Sequence, residues 1–193
     1  SYISSLSSGM VLQPLPITRG NRLVLNTMEK NLSKSQLSWL VFLRILVGWH
    51  FLFEGMVKVL NPSWSASAYL RDSQGPLRSF FVSLAENDGV MRSVDALNEW
   101  SLVLIGLGLL LGLFARLSSI GGISLLILYT LSHPAFPGAE YMMPFEGSYF
   151  LIDKNLIEMA ALGVLFVFPT AREIGFDRLL IRILPSGFRK FVI

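Results

Sequence analysis

The sequence has 193 residues, 52% hydrophobic and only 15% charged, with 14 Phe and 4 Trp; this balance departs from that of a soluble domain toward one small helical membrane domain with aromatic interfaces. The net charge of +3 is small and the basic residues gather at the two ends, which does not suggest nucleic acid as a partner. The absence of Cys and the presence of only two His, His50 and His133, exclude disulfides, thiolate metal sites, iron–sulfur clusters, a nucleophilic Cys and a His-rich metal site.

Residues 1–36 are polar and Ser-rich, broken by Pro14, Pro16 and Gly20, and predict a loosely ordered cytoplasmic arm. Ser33 and Gln36 resemble a capping box, after which Leu37 to Leu60 is apolar and long enough to span a bilayer. Arg44, His50, Glu54 and Lys58 interrupt this helix within roughly a third of its circumference, leaving a clean lipid face. Asn61-Pro62 ends it.

Residues 61–97 form the longest connection, with Trp64, Tyr69, Arg71 and Asp72, then Gly75-Pro76 ahead of an amphipathic piece carrying Leu77, Phe80, Phe81 and Leu84. Short helices lying at the outer membrane surface are expected, with Pro76 opening one of them. A helix then starts near Val90 and spans from Trp100 to Ala115, with Gly108 and Gly112 as a small-xxx-small pair for close helix contact. Arg116 marks a tight turn. The third span, Leu117 to Leu131, ends at Ser132-His133-Pro134. The stretch Glu146 to Glu158 leads into the fourth span, Ile152 to Phe168, stopped by Pro169. Residues 170–193 form an amphipathic tail, with Phe176, Leu179, Leu180, Ile183 and Leu184 set against Arg172, Arg178 and Arg182. The expected fold is therefore all-α: a membrane domain of four spans over 37–169, packed as a four-helix bundle with short outer-face helices and a C-terminal surface helix. Lys and Arg are in excess at both ends and at Arg116, while the other two connections are net acidic, which places both termini in the cytoplasm.

Counting about 1.5 Å per residue from the cytoplasmic end sets His50 at roughly 20 Å, Glu54 at about 25 Å and Lys58 at about 31 Å. By the same count His133 and Glu99 lie at roughly 24 Å, Asn155 at about 21 to 25 Å and Glu158 at about 17 to 21 Å. Four helices thus offer polar groups to one outer layer, where an ionisable residue is costly unless it is paired, hydrated or protonated. Each member also has a plainer explanation. Glu54 and Lys58 neutralise each other at i, i+4, or Lys58 snorkels outward. His133 ends a helix, and His50 makes an interhelical hydrogen bond. Lys154 offsets Asp153 or attracts an anion. Arg44, with no acid at its level in any span, snorkels or clamps a carbonyl or lipid phosphate.

Several pieces carry a resemblance: Arg44-x-x-x-Gly48 with Gly55-x-x-Lys58, Trp64 with Tyr69-Leu70, and Leu107 to Arg116 ending in Phe-x-Arg. Ser132-His133-Pro134-x-Phe136-Pro137 follows, then Glu146-Gly147-x-Tyr149, Lys154-Asn155-Leu156-Ile157-Glu158, Phe168-Pro169-Thr170 and Asp177-Arg178. Over residues 37–182 the chain resembles the DoxX family of membrane proteins, in the branch similar to the DoxD small subunit of thiosulfate:quinone oxidoreductase. The resemblance implies a multi-pass subunit of a bacterial or archaeal inner membrane, with electrons passing from an outer-side sulfur compound to quinone. Without Cys, electron transfer would need the quinone itself, a bound cofactor or a partner subunit.

A quinone pocket requires apolar walls and a few proton-exchanging groups. Glu54 and Glu158 are the candidate proton acceptors and His133 or His50 the hydrogen-bond donor. Lys58 and Asn155 are candidate binding groups, and Lys154 or Arg71 outer anion attractors. Haem, with His50 and His133 on one iron, is a minor option. The competing expectation is a non-catalytic subunit of a larger membrane complex, in which the same groups join helices and the N-terminal arm docks on a neighbouring subunit; a transporter is disfavoured because no span is broken.

Overall fold

The computed structural model describes residues 32–142, 150 and 152–183. The arm up to residue 31, Glu146 to Tyr149 of the outer loop, and Leu184 with the rest of the tail lie outside the described residues. The chain divides into two units, 1–33 and 34–193. The second unit is mostly helical, with no strand among the described residues. Its helices are α1 (Lys34–Val59), α2 (Ser67–Arg71), α3 (Arg78–Ala85), α4 (Asp88–Leu111), α5 (Ala115–Ser132), α6 (Lys154–Val167) and α7 (Asp177–Ile183), with a 3-10 turn at Thr170–Arg172. Three of them, α1, α4 and α5, are long and apolar enough to cross a membrane. The 14 residues of α6 reach only about 21 Å as a helix, short of a ~30 Å hydrocarbon core.

α1 runs antiparallel to α4, α4 packs on α5, α5 on α6, and α6 returns to α1. Inside lie Val47, Phe51, Leu102, Ile105, Leu109, Leu126, Leu162 and Leu165, all buried. Glycines set the closest approach. A Cβ on Gly55 would stand 2.7 Å from Val103 N, and one on Gly106 2.6 Å from Leu52 Cα, so the α1 and α4 backbones touch where these residues face each other. The expected Gly108/Gly112 pair works differently. Gly108 makes room for Ser118 of α5, whereas Gly112 lies past the end of α4 at φ 62° and caps it in the left-handed region.

The connection between α1 and α4 forms α2 and α3 over a second small core of Ala66, Leu70, Phe81, Ala85 and Met91. Helix α3 starts at Arg78 rather than at Pro76. The reason is visible just before it: the N–H groups of Gln74 and Gly75 and the hydroxyl of Ser73 all donate to Ser132 O, at 3.1, 3.1 and 2.9 Å. They satisfy a carbonyl at the C-terminal end of α5, which would otherwise be orphaned. Gly75 is required there, because a Cβ would overlap the Leu131 carbonyl.

The segment after α6 does not continue as one helix from residue 170. Phe176 N donates to Leu111 O and Asp177 N to Gly112 O, so the chain first folds onto the α4–α5 turn and only then enters α7.

Candidate functional site

Helix α1 presents His50, Glu54 and Lys58 at successive i, i+4 positions. Helix α6 begins where the side chain of Asp153 accepts from Leu156 N at 2.9 Å, an N-cap that places Lys154, Asn155 and Glu158 in its first turns. The two helices meet through His50 Nδ1 and Glu158 Oε1, 2.7 Å apart, with the carboxylate side chain 12% exposed and the imidazole 43% exposed. Further along α1, Lys58 Nζ donates to Glu54 Oε2 at 2.6 Å and to Glu54 O at 3.0 Å, and lies 5.6 Å from the Trp64 ring centre. Lys154 is within electrostatic range of both His50 and Glu54. Five sequence candidates therefore gather in one cluster spread over about 12 Å of α1: His50, Glu54, Lys58, Lys154 and Glu158. Asn155 is half-buried at the start of α6, and Glu99 is half-buried on α4 beside Asn98, which takes the interhelical contact instead: Tyr129 Oη donates to Asn98 Oδ1 at 2.5 Å.

His133 does not join that cluster. It caps α5, 4% exposed, with its ring stacked on Tyr69 (centroids 3.8 Å) and tilted against Tyr141 (4.6 Å). Its Nδ1 lies 3.0 Å from Ser132 Oγ. Its Nε2 has no hydrogen-bond partner among the described residues and stands 3.8 Å from Asp72 Oδ2, beyond hydrogen-bond reach. That carboxylate is engaged by Met142 N at 2.8 Å. Burial pushes the His133 imidazole below its ordinary pKa, and the Asp72 charge only partly offsets this. Burial likewise raises the phenols of Tyr69 and Tyr141, so both stay neutral donors. Tyr141 Oη donates to Pro134 O at 2.7 Å. The same cap borders an open pocket of about 470 Å³ lined by Arg71, Asp72, Ser73, Gln74, Arg78, Glu140 and Met142. Arg71 also donates to Ala85 O at 3.2 Å.

The single depth expected for all these groups separates into two because α1 overhangs its neighbours. Arg44, 3% exposed, donates to Thr170 Oγ1 at 3.1 Å and Ile174 O at 2.8 Å. Arg44, not Leu37, is therefore level with the C-terminal ends of α4 and α6 and the N-terminal end of α5. Counted from Arg44, His50 lies only about 9 Å and Glu54 about 15 Å from that end, while His133 lies about 27 Å from Ala115 along α5. His50 and His133, roughly 18 Å apart along the helix axes and each with its own partners, do not face one iron.

Of the three roles open to Arg44 in the sequence (snorkelling, clamping a carbonyl or clamping a lipid phosphate), the structure shows a carbonyl clamp on Ile174 O. Sequence reasoning did not find the acid within its range, Asp177, which opens α7 after the 3-10 turn. Asp177 is 1% exposed and accepts Phe114 N at 2.7 Å and Ala115 N at 3.1 Å, capping α5. Phe114 is held there at φ 50°, a left-handed conformation that costs a non-glycine residue about 1 to 2 kcal/mol. Burial raises the Asp177 carboxyl against the opposing pull of these two N–H groups and of Arg44 and Arg172. The available signal was an Asp placed inside an otherwise Arg-rich amphipathic segment. No family model, no curated protein and no solved structure matches the chain.

Proposed function

We propose that the chain is a four-span inner-membrane protein of the DoxX kind, similar to the small subunit of thiosulfate:quinone oxidoreductase, with both termini cytoplasmic and its proton-exchanging site between α1 and α6. In this reading α6 is the fourth span, short in itself and completed by Ile152-Asp153 on the outer side and Phe168-Pro169 on the inner. The four spans pack as a bundle, and α7 begins an amphipathic tail at the inner surface. Residues 61–97 and the α5–α6 connection, both net acidic, face outward, and Arg116 faces inward with the basic ends.

The observation that carries the functional part is the His50–Glu158 contact. It is a titratable pair on two different helices, with the carboxylate sheltered and the imidazole reachable. Exposed Leu46, Trp49, Phe53 and Ile157 surround it in sequence on the same two helices, so the way in is apolar. These are the requirements for a quinone ring: apolar walls and an exchangeable proton at a fixed atom. A quinone bound there would supply the two-electron, two-proton acceptor chemistry that the chain lacks. His50 would hold the head group through its imidazole, with Glu158 orienting the ring from Nδ1 and keeping the proton available. Glu54 and Lys58, neutral as a pair, would pass protons toward the outer surface, and Lys154 would favour a negatively charged outer-side sulfur compound.

One observation favours a non-catalytic subunit instead: the same His50–Glu158 contact joins α1 to α6, a pair that packs together much less extensively than α1 and α4. Two measurements separate the readings. Organic extraction of the purified protein should yield quinone at near-stoichiometric level, and thiosulfate-dependent quinone reduction should fall at least tenfold in Glu158→Gln while the helical spectrum and melting point hold. No extractable quinone, together with a glutamine variant that only lowers stability, would establish the structural role.

A further inference from the structure

The pocket beside the cap on α5 takes no part in the contact between α1 and α6, and its lining has a charge pattern of its own. Apart from Met142 the residues around this cavity of about 470 Å³ are polar, and they bring two arginines, Arg71 and Arg78, together with two carboxylates, Asp72 and Glu140. Arg71 ends α2, Arg78 begins α3 and Glu140 comes from the α5–α6 connection, so three parts of the chain meet there. Asp72 is buried and already occupied: its Oδ2 accepts Met142 N at 2.8 Å and stands 3.8 Å from His133 Nε2. Glu140 is held by its main chain, whose carbonyl accepts Gln74 Nε2 at 2.6 Å. Arg71 spends one N–H on Ala85 O, which fixes the guanidinium and leaves further donors on the fork. Arg78 and Glu140 are exposed, and no ion pair joins Glu140 to either arginine among the described residues. Opposite charges that border one cavity without meeting leave a gap for a ligand with charges of its own.

A lone anion in this pocket would meet the arginines but also Glu140, and a lone cation would meet the reverse. A zwitterion satisfies both. Two guanidinium forks offer more N–H groups than the two oxygens of a carboxylate accept, whereas a phosphate has further oxygens for them. A primary ammonium, with its N–H donors, suits the carboxylate of Glu140. We propose that the pocket binds a phosphoethanolamine group, with the phosphate on Arg71 and Arg78 and the ammonium on Glu140. In the orientation proposed above the pocket lies at the outer membrane surface, so the group has two sources: soluble phosphoethanolamine, or the head group of phosphatidylethanolamine. Exposed Leu77 and Phe80 flank Arg78 in sequence, and exposed Met142 lines the pocket itself, an apolar border that suits acyl chains. The inference uses neither quinone nor the His50–Glu158 pair, so it stands or falls apart from the proton-exchanging site.

The test titrates the full chain in detergent with soluble phosphoethanolamine by calorimetry. Inorganic phosphate, ethylamine and phosphocholine are the comparison probes, lacking in turn the amine, the phosphate and the ammonium N–H groups. Phosphatidylcholine nanodiscs with and without phosphatidylethanolamine, read by melting temperature, address the lipid source. Phosphoethanolamine should bind about tenfold or more tightly than each comparison probe. Arg78→Gln should weaken it about tenfold. Glu140→Gln should weaken it by about as much without weakening inorganic phosphate, a split that a merely structural residue would not produce. Both changes are at exposed residues, and an unchanged helical spectrum checks that the variants fold. Arg92→Gln, an exposed change on α4, should leave every affinity as it is. A melting shift from phosphatidylethanolamine that Arg78→Gln removes assigns the lipid, whereas binding of the soluble compound alone assigns the free molecule. Inorganic phosphate bound as tightly as phosphoethanolamine would overturn the zwitterion in favour of a plain anion. Unchanged affinity in Arg78→Gln or Glu140→Gln would overturn the assigned contacts, and no saturable response from either source would overturn the site.

Discussion

Replacing Gly106 by Ala should loosen the α1–α4 contact, and the size of the effect follows from the geometry. The added methyl would lie 2.6 Å from Leu52 Cα and 2.7 Å from Leu52 Cβ, where ordinary carbon contacts begin near 3.5 Å. The helices must part by close to 1 Å, and a gap of 0.5 to 1 Å already forfeits about a quarter to a half of each dispersion contact. The obstruction is main chain, which cannot rotate away, so the cost belongs at the upper end of the overpacking range, about 3 kcal/mol. Alanine returns about 1 kcal/mol in helix propensity, leaving a net loss of about 2 kcal/mol. Gly163→Ala is the internal control, because nothing lies within 4 Å of its would-be Cβ, and it should be neutral or stabilising by up to about 1 kcal/mol. Reversible unfolding in mixed micelles, titrated with a denaturing detergent, measures both. If Gly106→Ala proves as stable as Gly163→Ala, the backbones of α1 and α4 do not touch at Leu52 and the packing argument fails.

Arg44→Ala should destabilise by about 3 kcal/mol or more, since it strips Thr170 Oγ1 and Ile174 O of their donor and leaves Asp177 with less compensation; the same unfolding titration reads it. Glu54→Gln should change stability by less than about 1 kcal/mol, because the Glu54 side chain is 45% exposed and pairs at that exposure contribute little. A stability scan against pH should show the outer cap weakening in acid. Burial holds the folded His133 below the unfolded value of 6.5, so as pH falls through about 6.5 the unfolded chain takes up a proton that the folded cap resists, and stability is lost. His133→Gln should abolish that slope, and an unchanged slope would mean that another group titrates.

The long helices are legible from their long, predominantly apolar runs, and their starts fall within a few residues of the expected ones because polar caps such as Asp153, and Asn87, whose side chain accepts from Gly89 N and Val90 N ahead of α4, punctuate the chain. Depth was not legible. Helical periodicity fixes which residues share a face but says nothing about how far one helix slides past another; only the contact of Arg44 with Ile174 reveals that α1 extends beyond its neighbours. The close-contact glycines are only partly legible for a similar reason: Gly108 does admit Ser118 of α5. Gly108 and Gly112 have the right spacing, yet Gly112 lies outside the helix, while Gly48, Gly55 and Gly106 face the partner helix without forming a four-residue repeat on one strand of sequence. Within the site, His50 and Glu158 were each singled out, but their pairing needed the register of α1 against α6. The aromatic clamp on His133 joins residues 69, 133 and 141, a contact set by the outer loop's path, which no local pattern encodes.

The closure at Asp177 has a consequence for how the molecule is made. Ribosomes deliver this chain from the N-terminus, so α1 enters the bilayer with Arg44 already in place, more than a hundred residues before the hydroxyl, carbonyl and carboxylate that will surround it. Until residues 170–177 emerge, a cation stays undersatisfied within an apolar helix, and the first turn of α5 lacks its carboxylate cap. Maturation therefore hinges on residues 170–177: a nascent chain cut short before Asp177 would contain every long helix among the described residues and still carry the signature of an unfinished protein, a polar defect that membrane quality-control proteases can sense.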